Sequence, residues 1–285
     1  MQEVGVNELI KQRRLVQAGY AAAVISYIAC ILILLADVRA SVILVNITTV
    51  LYFFVIRNMD KKYNRKFVKT NLSLSCEKQL DRADVFCRGS VTGSHLKQSG
   101  LLPAREKGGA ACGIGFKGEK DGIQAEVCEL TVCFDRVETG ARPKVGILNG
   151  VWMELKLDED TGRDLLLVER TVFSKGISRK HYLERGYREL PVRSREISGR
   201  FCLFGRTGKE EKEAEAFLRK CKKLMQKTAK EECGLMIQET GASLCVFLIG
   251  RKITFDTPLR GEITEDIVAW DRLPEFGMVM ELGGK

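Results

Sequence analysis

The sequence predicts an α+β protein: an N-terminal two-helix transmembrane hairpin, then a largely antiparallel sheet domain with one long amphipathic helix. Three observations predict it. Two uncharged runs, Leu15 to Ala36 and Ala40 to Ile56, are separated only by Asp37, Val38 and Arg39. Apolar residues then alternate with a period of two in several segments between residues 123 and 249, separated by turn-forming residues. One stretch from Thr207 repeats its apolar residues at helical spacing. The order strands, helix, strands is that of an α+β domain.

The first run is 22 residues long and the second 17. A span needs roughly 20 apolar residues to cross about 30 Å of hydrocarbon. Arg39 and Arg57 can snorkel from the ends of the shorter run. The rivals are a buried soluble helix, which Asn46, Thr48 and Thr49 make the second run resemble, and a cleaved signal peptide. A signal peptide has a shorter apolar region of about 7–15 residues and a small-residue cleavage site, and Ala36-Asp37-Val38 is a poor one.

Charge orients the hairpin. The chain of 285 residues carries a net +9, which invites a nucleic-acid reading until the charges are located. Arg57, Lys61, Lys62, Arg65, Lys66 and Lys69 stand against Asp60 alone, so most of the excess lies beside the second run. Lys11, Arg13 and Arg14 precede the first run. Basic flanks stay cytosolic, so the protein is expected in the cell membrane, multi-pass, with both termini cytosolic. The partition is then a cytosolic segment at 1–14, the hairpin at 15–56 (spans 15–36 and 40–56), a basic juxtamembrane helix and connector at 57–102, and a cytosolic α+β domain at 103–285. The six basic residues of 57–69 are candidates for contact with the membrane surface, where anionic head groups attract each by about 1 kcal/mol; the plainer reading is a topology signal.

Ala18, Ala22, Ser26 and Cys30 recur every four residues in the first run. Small residues at that spacing let helix backbones approach. A tight antiparallel turn puts Ser26 near Thr49 and Cys30 near Asn46. These six are candidate packing residues of the hairpin, with a homo-oligomer interface as the alternative. Neither run has an ionisable residue in its interior, which argues against a channel or transporter built from the hairpin alone.

In the cytosolic part, Ile123, Ala125 and Val127 alternate with polar residues, and Leu130, Val132 and Phe134 then keep their own period of two. Val145 to Leu157, Leu165 to Phe173 and Ile197 to Phe204 are further candidate strands, with turn chemistry at Gly140 and in Asp158 to Gly162. Thr207 and Glu210 form a capping-box pair. Ala214, Phe217, Leu218, Cys221, Leu224, Met225 and Thr228 share one face of the helix that follows, and Gly234 stops it. Leu235 to Gln238 and Ala242 to Ile249 close the pattern as apolar strands, before a net acidic tail from Glu262.

Motifs for chemistry are sparse. Gly113 to Gly118 matches G-x-G-x-x-G, but strand pattern follows it, where a dinucleotide site needs a helix. It reads instead as a glycine-rich hairpin. None of the ten cysteines forms C-x-x-C, so zinc is not expected, and free thiols suit a reducing cytosol. His95 and His181 lack a triad context. The basic stretch Lys175 to Arg206 is diluted by Glu184, Glu189 and Glu196, and reads as a solvated loop or second membrane contact rather than a nucleic-acid site. No catalytic residue, cofactor or metal is expected.

Several segments carry a resemblance: the basic exit near Tyr63, Ser99-Gly100-Leu101-Leu102, Gly118 to Ile123 leading into Glu129-Leu130, Leu148 to Leu155, Phe201 to Gly205 before the helix that begins its apolar face at Ala214, and Leu244 to Ile249. From Tyr63 to Phe276 the chain resembles an uncharacterised family of bacterial membrane-associated proteins, known as a domain of unknown function. In that family a hydrophobic helical pair commonly precedes a cytosolic domain. The family's usual phenylalanine and lysine near Leu148 are missing here. The resemblance implies no activity, catalytic residue or cofactor. The expected function is a non-enzymatic binding or scaffolding module with the lipid bilayer, anionic head groups or a protein as partner. The alternative is a membrane-surface enzyme with its site near the glycine-rich hairpin or the His181 loop.

Overall fold

The computed structural model describes residues 2–136, 144–206, 210–254 and 273–284, with 257, 259 and 263 between them. The chain forms two units, Met1–Leu74 with Phe255–Trp270, and Ser75–Thr254 with Asp271–Lys285.

The first unit is a helical hairpin. Helix α1 covers Gln2–Leu34 and α2 covers Val38–Leu51. A single π-helical turn, Tyr52–Ile56, continues into α3, Arg57–Gln79. Val6–Leu34 and the run Val38–Gln79 are each long and apolar enough to cross a membrane. Asp37 makes the reversal: its carboxylate accepts from the backbone N–H of Arg39 (2.8 Å) and Ala40 (3.3 Å), an N-cap for α2.

Leu9, Val16, Ala23 and Cys30 are buried at seven-residue spacing along α1. Ser41 and Thr48 answer them on α2, then Ile56 and Tyr63. Thr48 to Ile56 is one residue longer than a heptad, and the π turn absorbs that residue, so the buried seam stays in line. This seam corrects the four-residue stripe. Ser26 and Cys30 turn inward, but Ala18 and Ala22 are exposed, and so is Asn46, which donates back to the Val42 carbonyl at 2.9 Å. The reason is rotation: a four-residue repeat drifts around a 3.6-residue helix, whereas two wrapped helices follow a 3.5-residue repeat. The Cys30 carbonyl accepts from Ser41 Oγ (2.8 Å), and Thr49 Oγ1 meets Tyr27 OH (3.1 Å). Past the apolar run, Val6, Leu9, Val16, Tyr63 and Phe67 form a small core that Ile263 joins.

The second unit is built on one nine-stranded antiparallel sheet. Its strands are β1 (Arg82–Phe86), β2 (Ala110–Lys120), β3 (Ile123–Arg136), β4 (Lys144–Lys156), β5 (Asp164–Glu169), β6 (Arg188–Leu190), β7 (Phe201–Gly205), β8 (Gly234–Thr240) and β9 (Ser243–Ile249). Their order is β1-β2-β3-β4-β9-β8-β5-β7-β6. Asp121 and Gly122, with φ of 51° and 83°, form the two-residue turn between β2 and β3, where both positions need positive φ.

Helices cover both faces. On one lie α4 (Gly93–Ser99), α5 (Arg170–Ser174) and α6 (Arg179–Leu183), sealing Trp152, Val168, Phe204 and Phe247. On the other, α8 (Glu210–Lys230) crosses β5, β7 and β8, and α9 (Pro274–Gly283) lies on β4. A short helix, α7 (Arg195–Arg200), precedes β7. Double coverage explains why β5 is buried at all six positions. It also explains the change of phase in β3. Ile123, Ala125 and Val127 are buried on one face, and Cys128, Leu130, Val132 and Phe134 on the other.

The segment read as a connector within 57–102 contains the rest of α3, the edge strand β1 and α4. Leu165 to Phe173 is strand only to Glu169, where α5 begins. Ile197 lies in α7, which starts because Ser194 Oγ caps the Ile197 N–H at 3.4 Å. The glycine motif is not a turn: Gly113 to Gly118 runs within β2, where a Cβ at Gly115 would stand 2.0 Å from the Val127 carbonyl oxygen. Gly140, the Thr207–Glu210 capping pair and Glu262 lie outside the described residues or side chains.

A buried polar chain pins α4 to the sheet. Gln238 Nε2 donates to the Ser99 carbonyl (2.6 Å) and to Tyr187 OH (3.0 Å), and Tyr187 donates to Asp164 Oδ1 (2.5 Å). Arg206 pairs with Asp164 at 3.0 Å and covers the Tyr187 ring at 4.6 Å.

Candidate functional site

Two concave places in the sheet unit carry chemistry. The first is a groove of about 490 Å³ between α7 and α8. Its floor is apolar because α7 turns Ile197 inward, β7 begins with Phe201, and α8 presents Leu218 and Met225. Its rim is basic. Arg219 and Lys222 stand one turn apart on the wet side of α8, and Arg193 enters from the loop before α7. Arg193 meets Glu215 at 3.3 Å in solvent, an exposed pair worth less than about 1 kcal/mol. Arg200 is different: it holds Glu169 at 3.1 Å and the Met225 carbonyl at 3.0 Å, so it braces the floor. The groove can hold an apolar chain below a negatively charged head.

The second place is a polar cavity of about 570 Å³ over β1 to β4. It lies where no helix covers the second face of β3, so Gln124 and Glu126 remain accessible there. His95, from α4, meets Glu154 of β4 at Nε2 to Oε2 2.9 Å, above Trp152. This hydrogen bond raises the His95 pKa, with burial opposing it. Burial pushes the Glu154 carboxyl up, but the His95 contact and neighbouring donors hold it below its ordinary value. Both shifts favour an imidazolium–carboxylate pair. Lys117 reaches Ser90 Oγ and Glu126 Oε2, both at 3.0 Å. Among the described residues, no group of three or more His, Cys, Asp or Glu side chains is arranged to hold a metal ion.

His181 has a structural setting. Its Nε2 meets the Gly100 carbonyl at 3.3 Å, and burial, then Arg185, lowers its pKa. Of the basic residues at 57–69, Arg57, Lys61, Lys62, Arg65 and Lys69 are exposed, while Lys66 pairs with Glu8 across the hairpin. The sequence reading treated His95 as an isolated histidine. Its partner lies 59 residues away, and the available signal was a carboxylate inside the apolar strand Val151 to Leu155.

No family model matches the chain, and no curated protein matches it. Among solved structures, the crystal structure of the mycobacterial trehalose monomycolate transport factor A, TtfA, is similar to it at 12% identity and a TM-score of 0.39. That similarity covers 77% of this chain and 93% of that one.

Proposed function

We propose that this chain is an integral membrane protein of the cell membrane, with both termini cytosolic, whose sheet unit is a binding module rather than an enzyme. One observation supports it above the others. Of the 22 large apolar side chains exposed among the described residues, 19 lie between Leu15 and Val55. At about half exposure each forfeits about 1 kcal/mol in water, so the set amounts to on the order of 20 kcal/mol. That exceeds the whole stability of a typical domain, about 5–15 kcal/mol. Lipid supplies the missing cover. The five exposed basic side chains of α3 favour an anionic leaflet.

The ligand is read from the groove between α7 and α8: an anionic amphiphile, with its chain on Phe201, Leu218 and Met225 and its head against Arg219 and Lys222. The family resemblance implies no activity, so this rests on the chain's own residues. The full chain in neutral-lipid nanodiscs is titrated with a fluorescent fatty acid. Arg219→Glu with Lys222→Glu is expected to weaken binding about 10-fold or more, and a neutral alcohol of equal chain length should bind poorly. Equal affinity for acid and alcohol would overturn the groove assignment. For topology, an impermeant maleimide should spare exposed Cys87 in intact cells and label it in inverted vesicles; labelling in intact cells reverses the orientation.

The His95–Glu154 pair beside Lys117 favours a second reading, an enzyme at the polar cavity near the glycine-bearing strand. Turnover of an ester or phosphoester panel that His95→Gln abolishes would establish it; no turnover by the parent chain removes it.

A further inference from the structure

Two cysteines in the sheet unit are arranged unlike the other eight. Cys112 is half-buried at an irregularity in β2, where the pairing with β3 shifts between Cys112 and Gly115. Cys128, on β3, has no exposed surface. The shift brings their sulfur atoms into hydrogen-bonding contact, and the backbone N–H groups of Gly89 and Val91 also point at the Cys112 sulfur. The loop comes close because residue 89 has no side chain: a Cβ there would stand 2.3 Å from Cys112 Sγ. Ser90, between the two donors, is tied down by Glu126 at 2.8 Å and Lys117 at 3.0 Å.

Three donors converging on one sulfur favour its thiolate, as a nest of N–H groups favours any anion. The Cys128 contact lowers the Cys112 thiol most, with the two N–H groups adding to it against burial and Glu126. The same contact, with burial, raises Cys128. The proton of the pair therefore sits on Cys128. Cys221 and Cys245, buried among apolar side chains, are pushed up chiefly by burial. Exposed Cys87 has accessibility, but no such cradle is seen around it.

We propose that Cys112 and Cys128 form a hydroperoxide-reactive pair that closes to an intramolecular disulfide. The Cys112 thiolate attacks one peroxide oxygen: the S–O bond forms, the O–O bond breaks, and the leaving hydroxide takes the Cys128 proton to become water. The Cys128 thiolate then attacks the sulfenic sulfur: the S–S bond forms, the S–O bond breaks, and hydroxide leaves. Two electrons pass from the pair to the peroxide. The disulfide carries no negative charge at Cys112, so the Gly89 and Val91 donors lose their anionic acceptor and the loop between β1 and α4 loosens.

The test uses the full chain in detergent, reduced, then exposed to substoichiometric hydrogen peroxide and quenched with an alkylating agent. Peptide mass spectrometry is expected to find the Cys112–Cys128 cross-link, with Cys112 consumed about 10-fold or more faster than Cys87. Cys128→Ser and Cys128→Ala should both stop at a Cys112 sulfenic acid that dimedone captures, so one poorly folded variant does not decide the matter. Cys112→Ser should leave Cys128 reduced. Cys87 reacting as fast as Cys112, or any other cysteine pairing with Cys112, would overturn the proposal.

Discussion

Ile25 separates a membrane span from a soluble helix. It is 66% exposed and sits midway along the uncharged run Leu15 to Ala36, while Ala23 two residues earlier faces α2. If lipid covers this face, Ile25→Arg places a guanidinium near mid-bilayer at about 3 kcal/mol. At 1.4 kcal/mol per decade that shifts insertion by about 100-fold. Adding Ile47→Arg, at a position 51% exposed on α2, brings the cost to about 6 kcal/mol and the shift to about 10⁴-fold. If water covers the same face, each change stays within about 0.5 kcal/mol, as surface substitutions do. The assay is alkaline carbonate extraction of membranes, with the variants compared against Leu183→Arg, whose side chain is also exposed but lies on the sheet unit. The parent and Leu183→Arg should stay in the pellet and the double variant should leave it. A parent that is extracted, or a double variant retained as well as the parent, refutes the lipid-facing assignment.

Other outcomes follow from single positions. Gly150→Ala would bring a Cβ within 2.3 Å of the Leu248 carbonyl oxygen, so a loss of about 1–3 kcal/mol is expected in chemical denaturation; an unchanged midpoint would mean the strands can part there. Burial, then Glu231, raises buried Glu275 to about 7 against Arg251, with Lys227 bonded to Glu231. A raised carboxyl pKa stabilises the fold below the unfolded value and loses that contribution as pH rises through about 7. Melting should therefore occur at a lower temperature at pH 8.5 than at pH 5.5, and Glu275→Gln should flatten the difference. Glu154→Gln removes the contact that raises His95, so the imidazole midpoint followed by NMR should fall; an unmoved midpoint would assign the shift to another group.

The fold was legible wherever one face or both faces of an element left a mark on composition. The hairpin, the late apolar strands and the face of α8 are of this kind. The reversal of phase after Val127 was visible too, although its cause, a change in which face is covered, needed the sheet. Strand β1 was not legible because it is an edge strand with three of five residues exposed, so no alternation could appear. Helix α7 was hidden by Ile197 and Phe201, which suit a strand, while the determinant was a side-chain cap at Ser194. The site residues were the least legible. His95 and Glu154, and Cys112 and Cys128, are distant in sequence and meet only through strand pairing. The small-residue stripe misled because spacing alone does not reveal whether a partner helix follows three and a half residues or four.

The π turn at Tyr52–Ile56 makes the two halves of the long helix a geared pair. One extra residue there advances everything beyond it by about 100°, and that advance seats Tyr63 and Phe67 on Leu9 and Val16. Drawn straight, the same helix would offer Lys62 and Lys66 to that seam. Loss of one residue inside the turn would leave a plain α-helix with the seam intact, whereas loss of one between Arg57 and Lys62 would put α3 out of phase. The hairpin thus has one place where its length can change without turning its cytosolic half.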